Sequence, residues 1–475
     1  MAEVELTVGA AEVSATQADN RLAVVAALML TVGLAAIDST IVATALPQIV
    51  ADLGGFSLFP WIFSIYLLTQ AVTVPIYGRL SDVFGRKPIL LVGVAGFVGG
   101  SILCGLAWSM PALIVARGVQ GLAAGAILPT TTTIVGDLYE PAERGRVQGY
   151  ISSVWGVSAI VGPTLGGFFA QYWTWRGIFW LNLPLGIGAA WLIRRHLHER
   201  LERRAHRIDY AGALTLTVAC SLLILALLEG GVSWAWGSTA SVGLFVGAAV
   251  LLAAFVQIER TVAEPILPLW IFRHRTLLAG NLAGLAIGAI LIGQSSYVPT
   301  YAQRVVGVGA VVAGLAMAAM TIGWPLAATA APRVYLRIDF RPTALLGGVI
   351  ATAGCLLLAL FVGVGSGVWR VAVASFVLGI GLGFASVSTV VAVQSVVGWG
   401  RRGVVTGGNM FIRTLGSAVG IAVFGSIANG RLAHRKHTPA AIFHAVHGVF
   451  WALVGAAVLG VVAQLLLPRR VTPLE

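Results

Sequence analysis

Asp38 is the one carboxylate set well inside an apolar stretch of this chain, in the run Ile37-Asp38-Ser39-Thr40. Two cations occupy comparable positions: Arg117, in Arg117-Gly118-Val119-Gln120-Gly121, and Arg413, in Asn409-Met410-Phe411-Ile412-Arg413. An ionisable side chain at such a place has to line a cavity or meet a partner, because a bare charge in hydrocarbon is costly. A carboxyl withdrawn from water holds its proton more tightly than one in solution. It can therefore take up a proton near neutral pH and release it when a cation arrives, which is the chemistry of exchange. A structural, salt-bridged Asp is the competing reading. A guanidinium keeps its charge throughout, so Arg117 is either a fixed charge tuning a nearby carboxyl or a tie between helices. A further cluster lies in Gly78-Arg79-Leu80-Ser81-Asp82-Val83-Phe84-Gly85-Arg86-Lys87-Pro88, read as a short charged turn between two long apolar runs.

These groups have to be positioned by elements that live in lipid. Of the 475 residues, 58% are hydrophobic and only 10% charged, against about 25% in a soluble chain. The mean hydropathy is +0.91. A span needs roughly 20 apolar residues, and about fourteen such segments can be marked off. The 59 glycines suit close helix–helix approach in a bilayer. The three cysteines, Cys104, Cys220 and Cys355, fall in apolar runs and show no disulfide or metal spacing. A net charge of +12 could suggest nucleic acid, but the cations sit in the turns, where membrane topology accounts for them. Most of the 30 Lys and Arg fall in turns on the N-terminal side. With an even number of spans, the positive-inside rule places both termini in the cytoplasm. The His/Arg-rich loop 431–447 falls on the outer side and reads as solvated.

The expected fold is all-α and polytopic. Residues 1–21 form a flexible cytoplasmic tail, 22–193 a six-helix bundle, and 194–209 a basic linker. Residues 210–258 add two further spans, 259–276 form a second linker, 277–467 a second six-helix bundle, and 468–475 a tail. The first apolar run, from residue 22 to about 50, is too long for a cleavable signal. An internal repeat supports the two bundles. At an offset of about 258, residues 117–125 meet 375–383, Arg144-Gly145 meets Arg402-Gly403, and Gly149 meets Gly407. At about 254, Arg79 meets Arg333, Lys87 meets Arg341 and Pro88 meets Pro342, while Asp82 meets Leu336 and the second copy is degenerate. Paired halves with a site between them are a transporter architecture.

The sequence resembles the major facilitator superfamily, in its fourteen-span drug:proton antiporter branch, from about residue 22 to 467. Residues 78–88 resemble the family's loop between helices two and three. Residues 37–47 resemble the first-helix signature, 117–125 the fourth-helix arginine motif, and Gly156 through Gly162-Pro163-Thr164-Leu165-Gly166-Gly167 the fifth-helix antiporter motif. Trp175-Arg176-Gly177-Ile178-Phe179-Trp180-Leu181-Asn182-Leu183-Pro184 is similar to a stretch of that branch. The resemblance implies two six-helix bundles plus two central helices, with Asp38 and Arg117 in proton or substrate coupling. It also implies a cytoplasmic gate from Gly78, Arg79, Asp82, Gly85, Arg86 and Lys87, with Asp82 latched to the start of the span at Gly403, where a helix N-terminus attracts an anion.

The glycines of 156–167 are read as lying on roughly one helical face, with Pro163 adding a bend. Aromatics at comparable depth, Trp61, Tyr66, Trp155, Phe384 and Phe411, are candidates for a central cavity or for packing. The leading expectation is a proton-coupled secondary transporter exporting hydrophobic or cationic compounds by alternating access in the cytoplasmic membrane. It would work as a monomer, with protons and membrane lipids as partners, no nucleic acid, and no cofactor beyond the proton gradient. The alternatives are export of a lipid, siderophore or metabolite, and a non-transporting membrane sensor. No Gly-(four residues)-Gly-Lys-Ser/Thr motif appears, which argues against ATP drive. His196, His198, His206, His274, His434, His437, His444 and His447 all lie in turns or at span ends, which argues against an intramembrane enzyme.

Overall fold

A computed structural model describes residues 2–54, 58, 61–199, 209–231, 233–262, 264–432 and 438–469, with side chains from Arg21 onward except at a few positions that include Pro163. Lipid offers the backbone no hydrogen-bond partners, so each apolar run satisfies its own as helix. The first half holds α1 (Ala2–Leu53), α2 (Trp61–Phe84), α3 (Arg86–Gly105), α4 (Met110–Ala124), α5 (Ile127–Leu138), α6 (Pro141–Tyr172), α7 (Gly177–Trp180) and α8 (Asn182–His196). Then come α9 (Tyr210–Glu229) and α10 (Thr239–Thr261). The second half holds α11 (Arg275–Tyr301), α12 (Ala310–Ile338), α13 (Phe340–Phe361), α14 (Val368–Ser395), α15 (Arg402–Leu432) and α16 (Pro439–Leu465). Fourteen of the resulting stretches are long and apolar enough to cross a membrane; α4 with α5 make one, and α7 with α8 another. Among the described residues, β-structure is confined to one isolated bridge, Gly230 to Trp234. The stretch before residue 22, expected as a loose tail, continues α1.

The charged turn is also helical. α2 runs on through Arg79 and Asp82 to Phe84, and α3 begins at Arg86. Gly85 alone makes the break, at φ 96°, ψ 157°. That region is open almost only to glycine. In the second half the matching break is Asp339, between α12 and α13, at φ 71°, ψ 170°. Gly85 and Asp339 are related by the same offset that relates Arg79 to Arg333, so the repeat extends to the backbone.

Helices α9 and α10 pack on each other, and α9 lies across the line where α2 and α15 meet. Leu216, Cys220 and Ile224 of α9 join Leu68 and Val72 of α2 and Val404 and Phe411 of α15 in one apolar cluster. Arg79 pairs with Glu264 in the segment after α10, at 3.2 Å. The two halves meet along two seams. At one, the backbones of α2 and α15 touch: a Cβ on Gly78 would lie 2.7 Å from the Gly403 carbonyl oxygen. At the other, Gly145 of α6 lies against Pro332 of α12. Pro332 is the repeat partner of Gly78, and Gly403 that of Gly145, so the seams are two copies of one contact.

The strained Asp339 and the permissive Gly85 give a paired test. Asp339→Gly is expected to raise, and Gly85→Ala to lower, the thermal melting point of the detergent-purified protein, through a stability change of about 1–3 kcal/mol in each case. Intrinsic tryptophan fluorescence during heating reads both, and shifts of the same sign would count against strain at this backbone position.

Candidate functional site

Asp38 stands at the centre of a polar knot inside the first half. Its Oδ2 accepts a hydrogen bond from Arg117 Nη1 at 2.6 Å. Its Oδ1 accepts from Gln120 Nε2 at 3.0 Å and from Asn182 Nδ2 at 2.9 Å. Both amides also donate to Ser101 Oγ, at 2.7 and 3.1 Å. Arg117 Nη1 donates further to Gln120 Oε1 at 2.6 Å, and its guanidinium stacks 4.1 Å above the Tyr66 ring. Asp38 and Gln120 are 0% exposed and Arg117 1%. Side chains from α1, α2, α3, α4 and α8 thus converge on one carboxylate. Gly100 makes this approach feasible, because a Cβ there would stand 2.6 Å from the Gln120 Cα.

Asp38 and Arg117 are therefore brought together, but within the first half, sealed from the space between the halves. A charge pair so placed is satisfied as it stands. Removing one partner of such a pair costs about 3–5 kcal/mol, since the other charge is left bare. The second half carries a neutral counterpart: Gln294 Nε2 of α11 donates to Ser375 Oγ of α14 at 2.6 Å. Ser375 is the repeat partner of Arg117.

The second cluster closes one end of the molecule. Gly403 and Val404 at the start of α15 donate their N–H groups to the Asp82 carboxylate, at 2.8 and 2.7 Å. An acid at a helix N-terminus satisfies otherwise free donors and opposes the helix dipole. Arg86 Nη2 donates to Asp82 at 2.8 Å and to the Trp399 carbonyl at 2.6 Å, and its Nε donates to Asp137 at 2.8 Å. The guanidinium also lies 3.8 Å over the Trp399 ring. Asp137 in turn accepts from Arg402 at 2.9 Å. Gln394 Nε2 donates to the Thr132 carbonyl at 3.2 Å, and Tyr335 donates to the Pro141 carbonyl. Among the described residues, every hydrogen bond between the two halves lies at this end. Lys87 takes no part in the closure: its Nζ donates to the Arg194 carbonyl at 2.8 Å, while Glu199 accepts from the N–H groups of Arg86 and Lys87 and caps α3.

The opposite end of the first half has its own clasp. Trp175 Nε1 and Arg176 Nη1 both donate to Asp52, at 2.9 and 2.8 Å. The Trp175 hydrogen bond first, and the Arg176 contacts second, hold the Asp52 carboxyl below the ordinary carboxylate range.

The remaining sequence candidates do not converge. The α6 glycines were expected on one face, yet Gly156 lies against Thr321 of α12 and Gly162 against Thr40 of α1, while nothing lies within 4 Å of a Cβ built on Gly167. Six residues at about 100° each turn the helix well past a half-circle, which separates the two faces. Gly166 is buried, and the side chain of Pro163 lies outside the described residues. Of the aromatics, Tyr66 stacks under Arg117, Phe411 is buried at the α2–α15 seam, Phe384 packs beside Tyr335, Trp61 is partly buried at the start of α2, and Trp155 is 37% exposed. Arg413 is half-buried, with its guanidinium 5.4 Å from the Trp324 ring.

Sequence reasoning passed over Ser101, Gln120, Asn182, Asp137, Trp399 and Glu199. Gln120 and Asn182 lay inside motifs already singled out; a polar amide in an apolar run is the signal that would have found them. Asp137, at the very end of its span, carried no such mark.

The comparisons agree on the family. The sequence model of the Major Facilitator Superfamily matches residues 28–421. Multidrug resistance protein 3 of Bacillus subtilis (strain 168) is 35% identical over 414 residues, covering 87% of this chain and 80% of that protein. Multidrug transporter protein MdtP of the same strain is 33% identical, covering 87% and 76%. The crystal structure of the human organic anion transporter MFSD10 (TETRAN) matches with a TM-score of 0.68 at 16% identity, covering 94% of this chain and 99% of that one. At that identity the likeness speaks for the fold. With fourteen membrane-capable helices in two repeat-related halves, and a family match across most of its length, the chain is a transporter of the major facilitator superfamily.

Proposed function

We propose that the protein exports hydrophobic and cationic drug-like compounds across the cytoplasmic membrane in exchange for protons, with both termini in the cytoplasm. The observation that carries this reading is Asp38, a fully buried carboxylate in a membrane-spanning helix, held by Arg117, Gln120 and Asn182. Its relatives' names, among them a multidrug resistance protein and a multidrug transporter, support the substrate class. The excess of Lys and Arg in the turns on the N-terminal side supports the orientation.

In the state described here Asp38 is paired with Arg117 and the Asp82 end is closed. Protonation of Asp38 removes the negative partner of Arg117 and leaves a bare guanidinium between α1, α2 and α4. Those helices then gain by rearranging, and the first half can swing only if Asp82 releases the start of α15. Return of the proton to the cytoplasm restores the pair and the latch. Coupling arises because the charge state of the knot and the position of the halves are two views of one equilibrium.

Asp38→Asn is expected to lower pH-gradient-driven export of a fluorescent cation from everted vesicles by tenfold or more, on the order of the effect of losing a buried charge partner. Because that variant strands Arg117, the double variant Asp38→Asn/Arg117→Gln is the decisive control. It is expected to recover the melting temperature and not the export; full export by the double variant removes Asp38 from coupling. Asp82→Asn is expected to increase cytoplasmic labelling of single cysteines placed along the α2–α15 seam. Unchanged labelling on both faces would mean that Asp82 is not a latch.

A further inference from the structure

Arg413 differs from the other stacked arginines that are withdrawn from the surface. Arg86 lies over Trp399, Arg117 over Tyr66 and Arg176 over Trp175, and each also has a carboxylate: Asp82 and Asp137, Asp38, and Asp52 respectively. Arg413 stacks on Trp324, yet among the described residues no carboxylate pairs with it and no oxygen accepts from it. Its backbone is fixed by close packing: Gly284 and Gly288 of α11 lie against it, and Ser417 Oγ donates to the Gly288 carbonyl at 3.0 Å.

The direction of the side chain follows from the seams. α15 meets the first half through Gly403 and Gly407, and α12 meets it through Pro332, Thr329 and Thr321, which face Gly145, Gly149 and Gly156. These two helices carry the second half's side of the two seams. A side chain that leaves α15 and reaches a ring on α12 must run across the face turned toward the first half. By helical rise, Arg413 stands about 15 Å deeper than the latch at Gly403. It is only half-buried there. The inter-half hydrogen bonds lie at the latch end, and Asp38 is already committed to Arg117, so the facing surface at this depth carries an uncompensated positive charge.

We propose that Arg413 and Trp324 form a subsite for the carboxylate or sulfonate of an amphipathic organic anion or zwitterion. A guanidinium presents a planar fork that matches such groups with two parallel hydrogen bonds. The indole offers an apolar face for the rest of the molecule. A substrate bearing only a cation is repelled at this point, whereas one bearing an acid beside its aromatic body is held. This deepens the exporter reading above and rests on it for the substrate's passage, though not for its binding.

The test compares rhodamine B, a zwitterion with a free carboxylate, and rhodamine B ethyl ester, a cation with the same aromatic body. Both are titrated by fluorescence polarisation into full-length detergent-purified protein, with no gradient imposed. The wild type is expected to bind the acid more tightly than the ester. Arg413→Gln is expected to weaken the acid by about tenfold or more, the scale of a lost charge-assisted hydrogen bond, while leaving the ester nearly unchanged. Arg413→Lys, with charge but no fork, is expected to fall between. Equal losses for both dyes, no loss for the acid, or no acid binding by the wild type would overturn the subsite. If Arg413→Gln does not purify as folded protein, the wild type answers alone: naphthalene sulfonate should displace rhodamine B and naphthylmethylammonium should not, and the reverse order overturns the proposal. Proton-driven transport of the ester in proteoliposomes judges the exporter reading separately. Loss of that transport with Arg413-dependent acid binding intact would sink the exporter reading and leave the subsite standing.

Discussion

Lipid neither solvates a charge nor offers a hydrogen bond, so every charge that this chain carries into the bilayer must be answered by the chain itself. The knot around Asp38 shows how demanding that is. One carboxylate on α1 draws a guanidinium, two amides and a hydroxyl from three further helices, and the guanidinium draws an aromatic ring from a fifth. Helix packing in the first half is organised by this requirement as much as by apolar contact. The close approach at Gly100 exists to let the Gln120 amide reach the carboxylate. A change of charge at Asp38 is therefore felt by all five helices at once, which is what a coupling device requires.

The same constraint separates the halves. The repeat relates Gly85 to Asp339 and the Gly78–Gly403 contact to the Pro332–Gly145 contact, so the backbone framework is two-fold. The polar content is not. Where the first half has Asp38 with Arg117, the second has Gln294 with Ser375, a pair that binds no proton and carries no charge. Where the first half has Asp82 clamped on α15, the matching position is Leu336. Charge work is concentrated in one half, and the other supplies a rigid counterpart whose half-buried cation, Arg413, has no carboxylate beside it among the described residues.

The sequence conveyed the fold because apolar length and the clustering of cations in turns are local properties. Asp38 and Arg117 could be singled out for a similar reason, because ionisable residues are rare inside a span, although their pairing with each other could not be read from the sequence. Less legible was anything that depends on which way a helix faces. Gly156 and Gly162 look like one motif along the chain and meet different helices in space. The stretch 78–88 looks like a loop because it is charged, but its charges are answered by α15, Asp137 and Glu199, so helix persists up to Gly85. The central aromatics were chosen by depth, and depth says nothing of direction.

The placement of α9 over one of the two seams has a consequence for how the bilayer acts on the protein. The α2–α15 seam is roofed by protein, with Leu216, Cys220 and Ile224 filling the groove that lipid tails would otherwise occupy. The α6–α12 seam has no such cover among the described residues. Acyl-chain length, lateral pressure and dissolved amphiphiles thus press on one seam and are shielded from the other, so a molecule built from two similar halves stands in its membrane as an object with a sheltered flank and an open one.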